Sequence, residues 1–105
     1  LNPLLFAVYN NDIHLLRELL GRYPYPKQIT GYWSPLAYAF DQDYKSLIKV
    51  ICESIYRKGA PVRLSRADFK YLLGSDSSYC HKLLSRVPPK VILKKHPLLL
   101  PVQDD

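Results

Sequence analysis

The feature that most constrains this chain is an internal repeat with a period of 32 residues. Residues 2–8 read NPLLFAV, and residues 34–40 read SPLAYAF. A polar corner and then an apolar run follow each block, at residues 10–12 and 15–20 and again at residues 42–44 and 47–52. Repeats of this length are typical of arrays in which each unit packs only against its neighbours. The repeat therefore predicts a stack of similar units.

Local signals predict that each unit is a pair of helices. Asn2 and Ser34 are good N-cap residues, and each is followed by a proline, which is well tolerated at the first helical position. Further along, apolar residues recur at helical spacing, as Leu15, Leu16, Leu19 and Leu20 and again as Leu47, Ile48, Ile51, Cys52 and Ile55. Each unit is thus predicted to contain a short helix, a polar turn and a longer helix.

The rest of the chain is less regular. Residues 23–33 contain two prolines and a glycine, which disfavour helix and predict an extended, hairpin-like loop. Ser65 is predicted to cap a helix over about residues 66–73, and Ser77 or Ser78 to begin another helix that ends at Pro88. Pro89 can start a last short turn, and residues 97–101 form an apolar, proline-flanked segment that is expected to be extended.

The block pattern resembles the ankyrin repeat. The sequence Pro-Leu-x-x-Ala occurs in both units, and residues 59–62, GAPV, are similar to the Gly-Ala-Asp-Val ending of that family. The chain departs from the family at Leu5 and Ala37, where the family has histidine, and at Asn11 and Asp43, where it has a glycine at the helix turn. The second long helix also extends about four residues further than is usual in the family, through residues 54–57.

The resemblance implies an all-α fold, an ankyrin-like helix-pair solenoid with short finger loops and a divergent helical C-terminal cap. The whole chain, residues 1–105, would be a single domain. Its repeats would span about residues 2–33 and 34–62, the cap about residues 63–96, and an extended tail residues 97–105.

The resemblance also implies a non-enzymatic scaffold or adaptor that binds a partner protein, because stacked units leave an open concave face and a row of finger loops. The expected partner-binding residues are Tyr9, Asn10, Asp41 and Gln42 on the inner helices and Tyr25, Lys27, Tyr32 and Trp33 on the finger. Tyrosine and tryptophan are enriched among interface hot spots. Trp33 is equally compatible with packing under the finger, against the next pair of helices.

A first alternative follows from the charge of the chain. Fifteen Lys and Arg against nine Asp and Glu give a net charge of +6, and the basic residues are concentrated after Lys45. With Tyr56, Tyr71 and Tyr79 among them, these cations could bind nucleic acid. The same pattern is also typical of a solvated outer face, and no nucleic-acid motif accompanies it.

A second alternative is a weaker resemblance to the SOCS box, which follows ankyrin repeats in some ubiquitin-ligase substrate adaptors. Residues 48–52, or the region around Cys80, would supply its apolar helix with a cysteine. Residues 87–93 would supply its proline-led segment. The order and spacing of these elements match the SOCS box poorly.

The sequence offers little for catalysis, cofactors or membranes. His14, His81 and His96 are scattered, no catalytic triad or glycine-rich phosphate loop is present, and the spacing of Cys52 and Cys80 fits no standard zinc site, so no cofactor or metal is expected. No apolar run reaches the length of a membrane span. With only two cysteines, an intracellular location, cytoplasmic or nuclear, is predicted. The absence of methionine suggests a piece of a longer protein, and residues 97–101 are a candidate for self-association.

Overall fold

In the computed structural model, which describes residues 3–26, 33–59 and 64–95, the chain folds into helices joined by short connections. The helices are α1 Pro3–Tyr9, α2 Ile13–Arg22, α3 Pro35–Asp41, α4 Lys45–Lys58, α5 Arg66–Leu73, α6 Ser78–Leu84 and α7 Pro89–Lys95. No strand occurs within the described ranges. The all-α class predicted from the sequence is therefore confirmed.

The helices pack as pairs in two layers. Helix α1 packs against α2, α3 against α4, and α5 against α6. Along the chain, α1 contacts α3 and α3 contacts α5, while α2 contacts α4 and α4 contacts α6. The odd-numbered helices thus form an inner layer and the even-numbered helices an outer layer, and α7 packs against α5 at one end. Within the described ranges, none of the helices has the length and apolar character that crossing a bilayer requires.

The corner between the two helices recurs with the period of the sequence. Asn11 and Asp43 adopt the left-handed region, with φ of 50° and 57°, a conformation that glycine adopts most easily. The amide groups of Asn10, Gln42 and Gly74 donate to the carbonyl oxygens of Phe6, Tyr38 and Lys70, at 3.1, 3.0 and 3.2 Å. Because these residues are spaced 32 apart, the third pair keeps the register of the repeat although its sequence lacks the motif.

The left-handed corner leads to a stability prediction. Asp43→Gly should leave the free energy of unfolding unchanged or raise it by up to about 1 kcal/mol, because glycine has no Cβ to strain this conformation. Asp43→Val should lower it by about 1–2 kcal/mol, since a β-branched residue strongly disfavours positive φ. Urea unfolding of both variants checks this, and equal midpoints would contradict it.

The core lies between the two layers, and α4 contributes most to it. All five apolar residues of its predicted stripe are buried, namely Leu47, Ile48, Ile51, Cys52 and Ile55. In α2 only Leu16 and Leu20 are buried, while Leu15 and Leu19 are half-buried. The difference follows from position, because α4 has a helix on each side in the outer layer and α2 lies at its edge.

Helix α4 has 14 residues against 10 in α2, so the predicted extra turn is present. The turn ends at Gly59, whose φ of 70° is the left-handed conformation common after helices. Just before it, the Lys58 ammonium group donates to the carbonyl oxygen of Leu20 and, at 2.9 Å, to that of Tyr23. The extra turn thus stabilises the carboxyl end of α2, where a cation is favourable.

Candidate partner-binding surface

Four aromatic side chains, which we call the aromatic surface, lie on the inner layer: Phe6, Tyr9, Trp33 and Tyr38. Helix α1 places the first two because Leu4, Leu5, Ala7 and Val8 occupy its buried side and leave the opposite side to solvent. Phe6 is 51 % exposed, Tyr9 41 % and Trp33 45 %. Large apolar side chains that are exposed together often mark interaction sites.

Tyr38, at the centre of the aromatic surface, holds its neighbours in edge-to-face contacts. Its ring centroid lies 4.5 Å from that of Tyr9 and 6.0 Å from that of Trp33, with interplanar angles of 71° and 81°. The ring centroid of Tyr44 lies 6.5 Å from that of Tyr38. Such contacts are favourable beyond simple burial. They hold rings from two successive units in one arrangement, which would lower the entropy lost if this surface bound a partner.

Polar side chains flank the aromatic surface at the corners of the inner helices. The side-chain amide of Asn10 donates to the carbonyl oxygen of Phe6 at 2.9 Å. The side-chain amide of Gln42 donates to the Asp41 carboxylate at 3.0 Å. All three side chains are exposed, in agreement with the predicted surface positions. An apolar centre with a polar rim is the usual composition of a protein interface.

Tyr25 is not a surface residue, contrary to the exposed position on the finger that was expected for it as a partner-binding residue. Its side chain is only 4 % exposed, and its hydroxyl oxygen accepts a hydrogen bond of 3.1 Å from the amide of Leu36, at the start of α3. Burial and the nearby Asp68 carboxylate raise the pKa of Tyr25 well above its usual value. Tyr25 therefore connects the segment after α2 to the start of α3 in the next unit.

Tyr25 belongs to a buried polar cluster, formed with Ser34, Ser65 and Asp68, that joins all three helix pairs. The Ser34 hydroxyl donates to one carboxylate oxygen of Asp68 at 2.5 Å, and the Ser65 amide donates to the other at 2.9 Å. Ser65 and Asp68 together form a capping box at the start of α5. Burial raises the pKa of Asp68, while these hydrogen bonds act in the opposite direction. The cluster is structural, because its members are buried.

The structure does not describe every residue that was predicted to bind a partner. Lys27 and Tyr32 lie outside the described residues, as does the segment 97–101. Phe6 and Tyr38 are not among the predicted partner-binding residues, although the sequence contains a signal for them. They are 32 residues apart, so they are aromatic residues at the same position of successive units.

Cys52 and Cys80 are buried between α4 and α6 and are free thiols. A hydrogen bond with Cys80 and burial raise the pKa of Cys52. Within the described ranges, no group of three or more His, Cys, Asp or Glu side chains is placed to hold a metal ion. Because both side chains are fully buried, they pack as small apolar side chains in the core.

The resemblance to ankyrin repeats stays a prediction from the sequence, based on its two Pro-Leu-x-x-Ala blocks. Comparison with protein families, with curated proteins and with solved structures finds no match to the chain.

Proposed function

We propose that this chain is a non-enzymatic protein-interaction module, a short ankyrin-like array that binds a partner protein through its aromatic surface. The observation that carries the proposal is the joint exposure of Phe6 and Tyr9 on α1 and of Trp33 shortly before α3. Burying apolar area on association contributes roughly 25 cal/mol per Å². Aromatic side chains held in place by their neighbours are the residues from which hot spots are usually built.

The ankyrin-like architecture is supported by the register of the corners at Asn10, Gln42 and Gly74. In such an array the inner helices and the fingers line one continuous face. The aromatic surface follows that pattern, because it combines residues of α1 and α3 with Trp33, two residues before α3.

The chemistry of the surface defines the kind of partner that it fits. Its aromatic centre suits an apolar or aromatic patch on another protein, and its rim offers amide and carboxylate groups from Asn10, Asp41 and Gln42 for hydrogen bonds. The rim carries one negative charge and no cation among these residues. A partner patch that is apolar at its centre and polar or basic at its edge would be complementary.

Site-specific photo-crosslinking tests the proposal. A benzophenone amino acid introduced in place of Tyr9 in the full chain should capture one major protein on irradiation in cells, because the ring would lie within the interface. The matched control carries the same amino acid in place of Glu18, an exposed residue of α2 on the outer layer. Capture should be much weaker from the control position.

The captured protein must then bind the unmodified chain directly. Isothermal titration with the purified partner should give a measurable Kd, and Phe6→Ala should weaken it by about tenfold or more. Equal capture from both positions, or a partner that binds Phe6→Ala as tightly as the original chain, would refute the assignment of this surface.

A further inference from the structure

A second candidate site lies on the outer layer, between α4 and α6. Its volume is about 500 Å³, within the range of pockets that hold a ligand. Its lining is mostly basic and aromatic and comprises Lys49, Glu53, Tyr56, Arg57, Tyr79 and Lys82, with Cys52 and Ser78 beside them. We call this the α4–α6 groove, and all of these residues belong to the described ranges.

The extra turn of α4 builds one wall of the groove. Tyr56 and Arg57 both lie beyond the length that α2 reaches in the preceding unit. Helix α6 supplies the opposite wall with Tyr79 and Lys82, three residues apart and so on one side of the helix. The groove is therefore specific to this position in the array, since it needs a long outer helix followed by another pair.

Three cations line this groove, and a fourth, Arg86, lies against the Tyr56 ring. The Lys82 ammonium nitrogen lies 4.7 Å from the centre of the Tyr56 ring, and the Arg86 guanidinium carbon lies 3.9 Å from it. Lys49 and Arg57 line the groove from α4. Within the described parts of the chain, no carboxylate lies within 4.0 Å of the side-chain nitrogens of these four residues. The single acid in the lining, Glu53, leaves their charge largely uncompensated.

This arrangement is unfavourable without an anion. Like charges four residues apart, as Lys82 and Arg86 are, repel each other, and Arg57 and Lys49 add to the repulsion. Tyr56 offsets part of it through its cation–π contacts, and its interaction with the Arg86 guanidinium lowers the pKa of Tyr56. These contacts place the Lys82 and Arg86 side chains beside the Tyr56 ring.

We propose that the α4–α6 groove binds a phosphate monoester group carried by a peptide segment of a protein. A phosphate monoester has a charge of about −1.5 to −2 at neutral pH, and its three oxygens accept charge-assisted hydrogen bonds from arginine and lysine. Four cations against one carboxylate suit such a dianion better than a single carboxylate side chain. The site is independent of the aromatic surface, which lies on the other layer.

Nucleic acid fits the groove less well than a phosphorylated peptide. Single-stranded nucleic acid needs a continuous basic track and free aromatic faces on which bases stack. Here Tyr56 is already covered by Lys82 and Arg86, and Glu53 interrupts the basic lining. The groove instead offers one focus of positive charge.

Titration followed by ¹H–¹⁵N NMR tests the proposal on the full chain. The probes are the capped peptides Gly-phosphoserine-Gly and Gly-phosphotyrosine-Gly, their unphosphorylated forms, inorganic phosphate and an oligouridine RNA. At least one phosphopeptide should shift the amide signals of residues 49–57 and 78–86 and should bind about tenfold or more tightly than its unphosphorylated form. The double variant Arg57→Gln/Lys82→Gln should lose this binding by about tenfold or more.

The matched control is Lys45→Gln/Lys70→Gln, which removes the same charge from two exposed lysines outside the groove and should bind within about twofold of the original chain. Equal losses in the two double variants would show only general charge attraction and would overturn the proposal. Inorganic phosphate that binds as tightly as the phosphopeptides would overturn the peptide assignment, and RNA that binds more tightly at these residues would overturn it in favour of nucleic acid.

Discussion

Asp68→Ala is expected to lower the free energy of unfolding by about 2–4 kcal/mol. The carboxylate is fully buried and accepts hydrogen bonds from the Ser34 hydroxyl and the Ser65 amide. Alanine would leave both buried donors without this acceptor. The variant would therefore weaken both the contact between α3 and α5 and the N-terminal cap of α5. Urea unfolding followed by circular dichroism measures it, and a loss below about 0.5 kcal/mol would show that the buried polar cluster does not stabilise the fold.

The matched variant Asp68→Asn separates hydrogen bonding from charge. It keeps one acceptor oxygen, so its loss should be smaller than that of the alanine variant. Burial raises the pKa of Asp68 in the folded chain. The folded state therefore binds the proton more tightly than the unfolded state, and this contribution is fully present below the unfolded pKa of about 3.9 and declines as pH rises through the folded pKa.

The original chain should accordingly lose stability relative to Asp68→Asn as pH rises from about 4 towards about 7. Urea unfolding of both proteins across this range gives the difference directly. The opposite slope would mean that hydrogen bonds to the carboxylate outweigh its desolvation, contrary to the direction of its pKa shift.

Tyr25→Ala is expected to lower the free energy of unfolding by about 3–5 kcal/mol, comparable with other aromatic truncations in cores. The side chain is 4 % exposed and its hydroxyl is bonded to the Leu36 amide, so the variant loses both buried area and a hydrogen bond. Tyr25→Phe keeps the ring and should lose about 1–2 kcal/mol, the amount expected for an amide left without its acceptor. A Tyr25→Ala variant as stable as the original chain would mean that this residue is on the surface after all.

The helices could be predicted well because local signals determine them. The Ser34 hydroxyl oxygen caps α3 by accepting a hydrogen bond from the Ala37 amide. Ser65 caps α5, and both caps were predicted from the sequence. The predicted third helix pair, including its start at Ser77 or Ser78, corresponds to α5 and α6. The repeat also predicted the corners at Asn11 and Asp43, because the polar residues 10–12 match residues 42–44 at the period of 32.

The polar cluster and the groove could not be predicted, because both depend on contacts between distant parts of the chain. Tyr25 lies between Pro24 and Pro26, a loop-like sequence that favours a surface position, yet it is buried beside Asp68, 43 residues further along. Asp68 itself has the sequence of an ordinary capping box and gives no sign of its bond to Ser34. Similarly, Tyr56 and Lys82 belong to different units and meet only when α4 and α6 pack together.

Trp33 provides the most direct test of the central claim, that the aromatic surface binds a partner protein. With the partner identified by crosslinking, Trp33→Ala should weaken binding in isothermal titration by roughly 30-fold or more, the effect of a tryptophan hot spot. Its melting temperature should stay within about 4 °C of the original, because the side chain is 45 % exposed and makes its ring contact at the surface. A variant that binds normally but melts much earlier would contradict the claim and would make Trp33 a residue of the core.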